Sequence, residues 1–171
     1  MSEPWSEAEI GGDSNVYRVD SLEGAQQAHW RLARQARRNI HLLSRDLDAR
    51  LFDQRPFLDA VRTLATSSRY ARCQILVQDP APAVQHDHRL LETARMLSSF
   101  VEIRRMHSDY KDFNEAFLTV DERGYYYRSR ADHHEGEVCF NGPLRARELN
   151  RLFDEIWQVS EVDPQFRRLH I

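Results

Sequence analysis

The sequence predicts an α/β fold, a mixed β-sheet flanked by helices on both faces. Helix-period and strand-length apolar segments alternate between residues 21 and 106, and from residue 113 strands follow one another with only turns between them. A strongly periodic stretch over 144–159 then closes the order as a helix.

Ser21 is an N-cap for a helix over 21–38, with Leu22, Ala25, Leu32 and Ala36 among its apolar positions. Arg31, Arg34, Arg37 and Arg38 fall in its later half, where cations suit the negative end of the helix dipole. The run Asn39-Ile40-His41-Leu42-Leu43 reads as a buried strand, ending at Ser44, Arg45 and Asp46. A loop through Asp53 leads to a helix from Pro56, with Phe57, Val61 and Leu64 spaced for one face. Residues 73–77 are the second strand, stopped by Pro80 and Pro82 because proline cannot continue a central ladder. Residues 86–99 form the next helix, and 101–106 alternate as the third strand. Residues 113–120 make a strand and 121–124 a turn with a glycine. Tyr125, Tyr126, Tyr127 and Arg128 form its hairpin partner. Residues 137–140 are a further strand, ended by Asn141, Gly142 and Pro143. The last helix carries Leu149, Leu152, Phe153, Ile156 and Trp157 on its stripe.

With 171 residues and 41% hydrophobic content, the chain suits one well-cored domain, over 16–171. Residues 1–15 read as a flexible acidic lead-in, and 160–171 as an amphipathic tail, with Phe166, Leu169 and Ile171 beside Arg167 and Arg168. A net charge of −3 gives no global pull toward nucleic acid or an anionic membrane, so an anion site must be local. Nucleic acid is disfavoured as a partner on this ground. Lys111 is the only lysine among 24 basic residues, a bias that suits a GC-rich bacterial genome. Cys73 and Cys139 sit in apolar segments, as reduced buried thiols do. No apolar run reaches the ~20 residues of a membrane span, and the opening residues lack the order of a secretory signal. A cytoplasmic protein is expected.

The stretch Asn114-Glu115-Ala116-Phe117-Leu118-Thr119-Val120-Asp121 has the frame of H-x-K-x-x-x-x-D, with Asn114 at the histidine position, Ala116 at the lysine position and Asp121 matching. On this frame and the order of elements around it, residues 16–159 resemble one half of the phospholipase D superfamily. Residues 128–132 stand where the family's G-S element lies, and 137–157 where its strand, proline and terminal helix lie. The resemblance implies a phospholipase D-like half domain. It also implies a mechanism with a histidine nucleophile, a lysine on the phosphate oxygens and a partner motif's histidine as general acid. Asparagine lacks a comparable nucleophilic lone pair and alanine carries no charge, so no catalytic residue is assigned. Single-motif members commonly pair as homodimers, which makes a homodimer the expected assembly.

Ser44, Arg45, Asp46, Gln78, Asp79, His107, Asn114, Arg128, Ser129 and Arg130 all fall at or just after strand ends, where open α/β sheets place ligand crevices. Arginines beside hydroxyl and amide groups suit a phosphate or carboxylate. The plain alternative is surface pairing, of Arg45 with Asp46 or Asp48, and of Arg128 and Arg130 with Glu122 or Asp132. No Cys/His quartet, H-E-x-x-H helix or Gly-rich phosphate loop is present, so no metal or cofactor is expected. The sequence therefore reads as an inactive phospholipase D-like domain that binds a phosphate-containing ligand or a protein partner. The competing reading is a divergent phosphodiesterase or nuclease using His107 or His133 and His134; a third is a support domain for a neighbouring enzyme such as an acyltransferase.

Overall fold

The computed structural model describes residues 3–167. Seven strands form one sheet: β1 (Tyr17–Val19), β2 (Asn39–Ser44), β3 (Arg72–Val77), β4 (Val101–Arg105), β5 (Ala116–Val120), β6 (Gly124–Arg128) and β7 (Gly136–Cys139). Their spatial order is β1-β7-β6-β5-β2-β3-β4, with β2, β3 and β4 parallel and every other pair antiparallel. Parallel neighbours need a crossover, and helices supply it. α2 (Ala49–Phe52) and α3 (Arg55–Ser67) join β2 to β3, and α4 (Ala81–Gln85) and α5 (Arg89–Met96) join β3 to β4. α1 (Leu22–Arg34) precedes β2, and α6 (Pro143–Val159) follows β7.

The side-chain period of two divides the strands between two cores. Ile40, Leu42, Ile75, Ile103, Leu118 and Tyr126 face α1, α3 and α5. Leu43, Leu76, Phe117, Tyr125 and Cys139 face α6, which answers with Leu149, Phe153, Ile156 and Trp157. The sheet is thus covered by helices on both faces, the mixed architecture expected from the sequence. No helix among the described residues is long and apolar enough to cross a membrane.

The opening segment departs from the flexible lead-in expected of it. Trp5 is buried in the α1-side core, the Arg31 Nε donates to the Ala8 carbonyl at 2.8 Å, and the Gln35 Oε1 accepts the Ile10 N–H at 2.8 Å. The Gly11 N–H donates to the Phe140 carbonyl. A single tryptophan, outweighed in composition by acidic neighbours, anchors the segment. β1 follows it as an edge strand of three residues, too short for an alternation to show in sequence.

Three boundaries shift for identifiable reasons. α1 ends at Arg34 instead of 38, because the N–H groups of Arg37, Arg38 and Asn39 turn to the Asp121 carboxylate. α5 begins at Arg89 instead of 86: Asp87 has φ +50°, and the His88 ring nitrogen Nδ1 accepts the Leu90 N–H as a cap. β5 begins at Ala116 because Ser108–Tyr110 forms a 3-10 turn whose continuation to Phe113 is held by Gln78. At the other end, Phe166 is buried beside α5, whose Arg95 Nε donates to the Phe166 carbonyl. Arg168, Leu169 and Ile171 lie outside the described residues.

Candidate functional site

The entrance of β5 carries Asn114 and Ala116, of the stretch that resembles the H-x-K-x-x-x-x-D frame. Asn114 is exposed and its carbonyl accepts the Ala131 N–H at 2.6 Å. Ala116 is fully buried and lies directly opposite Arg128 in the β5–β6 register, so both side chains share the α1 face of the sheet. Arg128 is only 3% exposed; its Nη1 donates to the His133 carbonyl at 3.2 Å, and its Nε has no hydrogen-bond partner among the described residues. A cation from the neighbouring strand therefore occupies the ground beside the lysine position.

Burial lowers the pKa of Arg128, while Tyr126, Asp48 and Asp46 act to raise it. Burial also raises the pKa of Asp46, with Asp48 adding to the effect. For Asp48 burial works upward, but the hydrogen bonds from Arg50 prevail and hold its carboxyl below the ordinary value. Those bonds are bidentate, Arg50 Nε to Oδ1 at 3.1 Å and Nη2 to Oδ2 at 2.8 Å. Arg128 is thus offset by carboxylates near the end of β2, not by Glu122. Behind it the His29 ring lies 4.0 Å from the Tyr126 ring, and burial pushes His29 down to about 3, keeping it neutral.

Across the end of β2, on the other side, lies a cleft of about 790 Å³ at the C-terminal ends of the three parallel strands, where open α/β sheets form ligand crevices. Arg45, Gln78, Asp79 and His107 meet in it. Gln78 is structural: its Nε2 lies 3.1, 2.7 and 2.9 Å from the carbonyls of Tyr110, Lys111 and Phe113, and fixes this loop over the cleft. Lys111 is brought to the rim as a result. Asp79 Oδ1 accepts the Ala81 N–H, and Arg105 lies 3.9 Å from Asp163. His107 uses Nδ1 to accept the Asp109 N–H at 3.0 Å, which leaves the proton of the neutral ring on Nε2. Neither Arg45 nor Lys111 forms an ion pair or side-chain hydrogen bond with a described residue.

The ten sequence candidates therefore divide. Ser44, whose Oγ accepts the Leu47 N–H, belongs with Asp46 and Arg128 on the α1 side. Ser129 and Arg130 line a separate shallow groove with Tyr127, His133 and Glu137, and Arg130 pairs with Asp132 at 3.2 Å. His133 and His134 contribute carbonyls, to Arg128 and to the Tyr126 hydroxyl. Among the described residues no three His, Cys, Asp or Glu side chains converge to hold a metal ion. Sequence reasoning missed Lys111, Arg105 and Asp163 as cleft residues. The lone lysine was the available signal, but its loop is placed by Gln78 from 33 residues away.

Asp121, the matching motif position, lies at the far end of β5. Its Oδ2 accepts the Arg37 N–H at 2.9 Å, and its Oδ1 accepts those of Arg38 and Asn39 at 2.8 and 3.0 Å. It ties the β5–β6 turn to the α1–β2 junction and is remote from the cleft.

Solved structures share this architecture. TrmBL2, an archaeal chromatin protein with a novel mode of DNA binding, superimposes with a TM-score of 0.66 at 17% identity over 94% of this chain, which spans 58% of that one. Nuc from Salmonella typhimurium, a phospholipase D family member, gives 0.65 at 13% identity over 88% of this chain and 99% of its own. NucT from Helicobacter pylori gives 0.56 at 10% identity over 88% and 98%. The fold is that of a phospholipase D-like domain. No curated protein matches the sequence. A family model does match, across residues 21–169, and the chain belongs to that family, the domain of unknown function DUF7931.

Proposed function

We propose that the domain is a catalytically inactive phospholipase D-like module that binds a phosphate-bearing ligand in the cleft rimmed by Arg45, Lys111 and His107. The observation that carries this reading is the pair Ala116 and Arg128: where the family places a phosphate-holding lysine, a buried methyl group faces a buried guanidinium. Asn114 offers no nucleophile beside it. In the neighbouring cleft Arg45 and Lys111 form no ion pair with a described residue, although Asp79, Glu161 and Asp163 also line it, and guanidinium and ammonium groups of that kind suit a phosphate. A homodimer is the assembly the family resemblance implies, and it would bring two such surfaces together.

A second reading keeps turnover, with His107 as the reacting group, because its ring lines the cleft beside the same cations. Incubation of the protein with bis(p-nitrophenyl) phosphate, with and without divalent metal ions, separates the two. The binding module releases no nitrophenol above background, whereas a calorimetric titration with a phosphomonoester detects binding that Arg45→Ala weakens about tenfold, the scale of one charge-assisted hydrogen bond. Turnover abolished by His107→Ala supports the second reading instead.

A further inference from the structure

At the opposite end of the sheet, one strand length or about 20 Å from the cleft, the surface is dominated by arginine. The C-terminal turn of α1 and the residues after it present Arg31, Arg34, Arg37 and Arg38, and the β5–β6 turn adds Arg123, around a bowl of about 750 Å³. A second groove continues from Arg37 and Arg38 to Tyr70 and Arg72 at the start of β3. The two depressions share Arg37 and Arg38, so they form one elongated tract.

These guanidiniums are only partly offset by local carboxylates. None of Arg31, Arg34, Arg37, Arg38, Arg72 and Arg123 forms an ion pair with a described residue. Arg31 and Arg72 bond to neutral groups, the first to the Ala8 carbonyl and the second to the carbonyls of Arg69 and Ala71. Glu9 and Asp121 line the same bowl and Glu122 stands in the turn; Asp121 accepts three backbone N–H groups and keeps its charge, so the six guanidiniums face three carboxylates. The negative end of the α1 dipole, worth about half a charge, is far outweighed. A chain of net charge −3 thus carries a strongly positive end.

We infer that this end of the sheet binds a nucleic-acid strand, held through its phosphates along Arg31, Arg34, Arg37, Arg38, Arg72 and Arg123, with Tyr70 as a stacking platform for a base. A tract that joins two depressions suits a chain of regularly spaced phosphates better than a single small anion. Guanidinium forks match phosphate oxygens, and aromatic faces take bases without regard to sequence. Tyr70 is 73% exposed, and the Arg69 guanidinium stands 4.9 Å from its ring centroid and donates to its hydroxyl at 2.7 Å, which holds a cation beside the aromatic ring. A membrane surface is a poorer match, because the tract is concave and Tyr70 is the one exposed large apolar group among its described residues.

The test is a fluorescence-anisotropy titration of the full chain with labelled oligothymidylate, repeated over a range of salt concentrations, with a matching duplex and phosphatidylglycerol vesicles as further arms. Arg37→Ala/Arg38→Ala keeps the backbone N–H groups that Asp121 needs and leaves the fold intact. The expected result is oligonucleotide binding that weakens as salt rises. The double substitution reduces it tenfold or more and flattens the salt slope by about two, one for each phosphate no longer neutralised. Tyr70→Ala weakens it at every salt concentration without changing the slope. Calorimetry with the phosphomonoester reads the cleft independently of this titration, so failure of the cleft reading and failure of this one are separable. No oligonucleotide binding at low salt, binding indifferent to Arg37→Ala/Arg38→Ala, or tighter binding to the vesicles than to oligothymidylate each overturns the inference.

Discussion

Asp121 and Asn39 hold each other reciprocally: the Asp121 N–H donates to the Asn39 carbonyl at 3.1 Å, and the Asp121 Oδ1 accepts the Asn39 N–H at 3.0 Å. With the Arg37 and Arg38 amides on the same carboxylate, one side chain closes the junction between α1 and β2. Asp121 is therefore architectural in this chain.

Asp121→Ala should lower stability by about 1–2 kcal/mol, the scale of one partly buried and two exposed N–H donors losing a charged acceptor. Asp121→Asn should cost less, since it keeps one acceptor oxygen and asparagine tolerates the φ of +54° found here. Urea denaturation followed by circular dichroism reads both. Equal losses would show that the charge, not the geometry, supplies the effect.

Ala116→Lys should not rebuild a catalytic site. It places a second cation beside Arg128 in a fully buried position, and an uncompensated buried charge costs about 3 kcal/mol or more. The double variant Ala116→Lys/Arg128→Met should recover part of that loss, a coupling that a double-mutant cycle in denaturant measures. Strict additivity would mean that the two side chains do not share the site.

Gly136→Ala should destabilise the domain by about 2 kcal/mol or more through overpacking. Its Cβ would run into the Tyr127 carbonyl oxygen, which is backbone of the paired strand and cannot swing away. A fall in the thermal midpoint checks this, and an unchanged midpoint refutes the close approach of β6 and β7.

Stability should decline as pH drops below neutrality. Burial holds His29 at about 3 in the fold against an ordinary value of 6.5, so between these values the unfolded chain binds the extra proton. The contribution is complete above about 6.5 and is lost progressively as pH falls toward 3. Burial moves His41 and His88 in the same direction. His29→Phe should flatten the pH dependence of the urea midpoint between pH 7 and 5; the slope, not the absolute stability, is the readout.

The legible parts of this fold were those with period. Strands β2 to β6 and helices α1, α3 and α6 announce themselves through apolar spacing, because each buries one stripe or face in a continuous core. What the sequence hid depends on partners far along the chain. Trp5 looks like one apolar residue in an acidic opening until Ala8, Ile10 and Gly11 are tied to α1 and to the residue after β7. Arg45 and Arg128 look alike as strand-end arginines. They part company because their side chains leave β2 and β6 on opposite faces, one to an open cleft and one beneath α1 and α2. Net charge was the least informative quantity of all. It averages Arg31, Arg34, Arg37 and Arg38 with acids elsewhere on the surface and conceals their convergence with Arg72 and Arg123.

The position of β1 bears on how the domain can be handled. The family match begins at residue 21, after β1 has ended at Val19, yet β1 covers the outer edge of β7 along Tyr17, Arg18 and Val19. A fragment trimmed to the family boundary loses that cover together with Trp5. It bares a row of unpaired backbone groups on β7 beside an apolar hollow, and such an edge recruits other strands, so the shortened protein should self-associate or precipitate where the longer one stays dispersed.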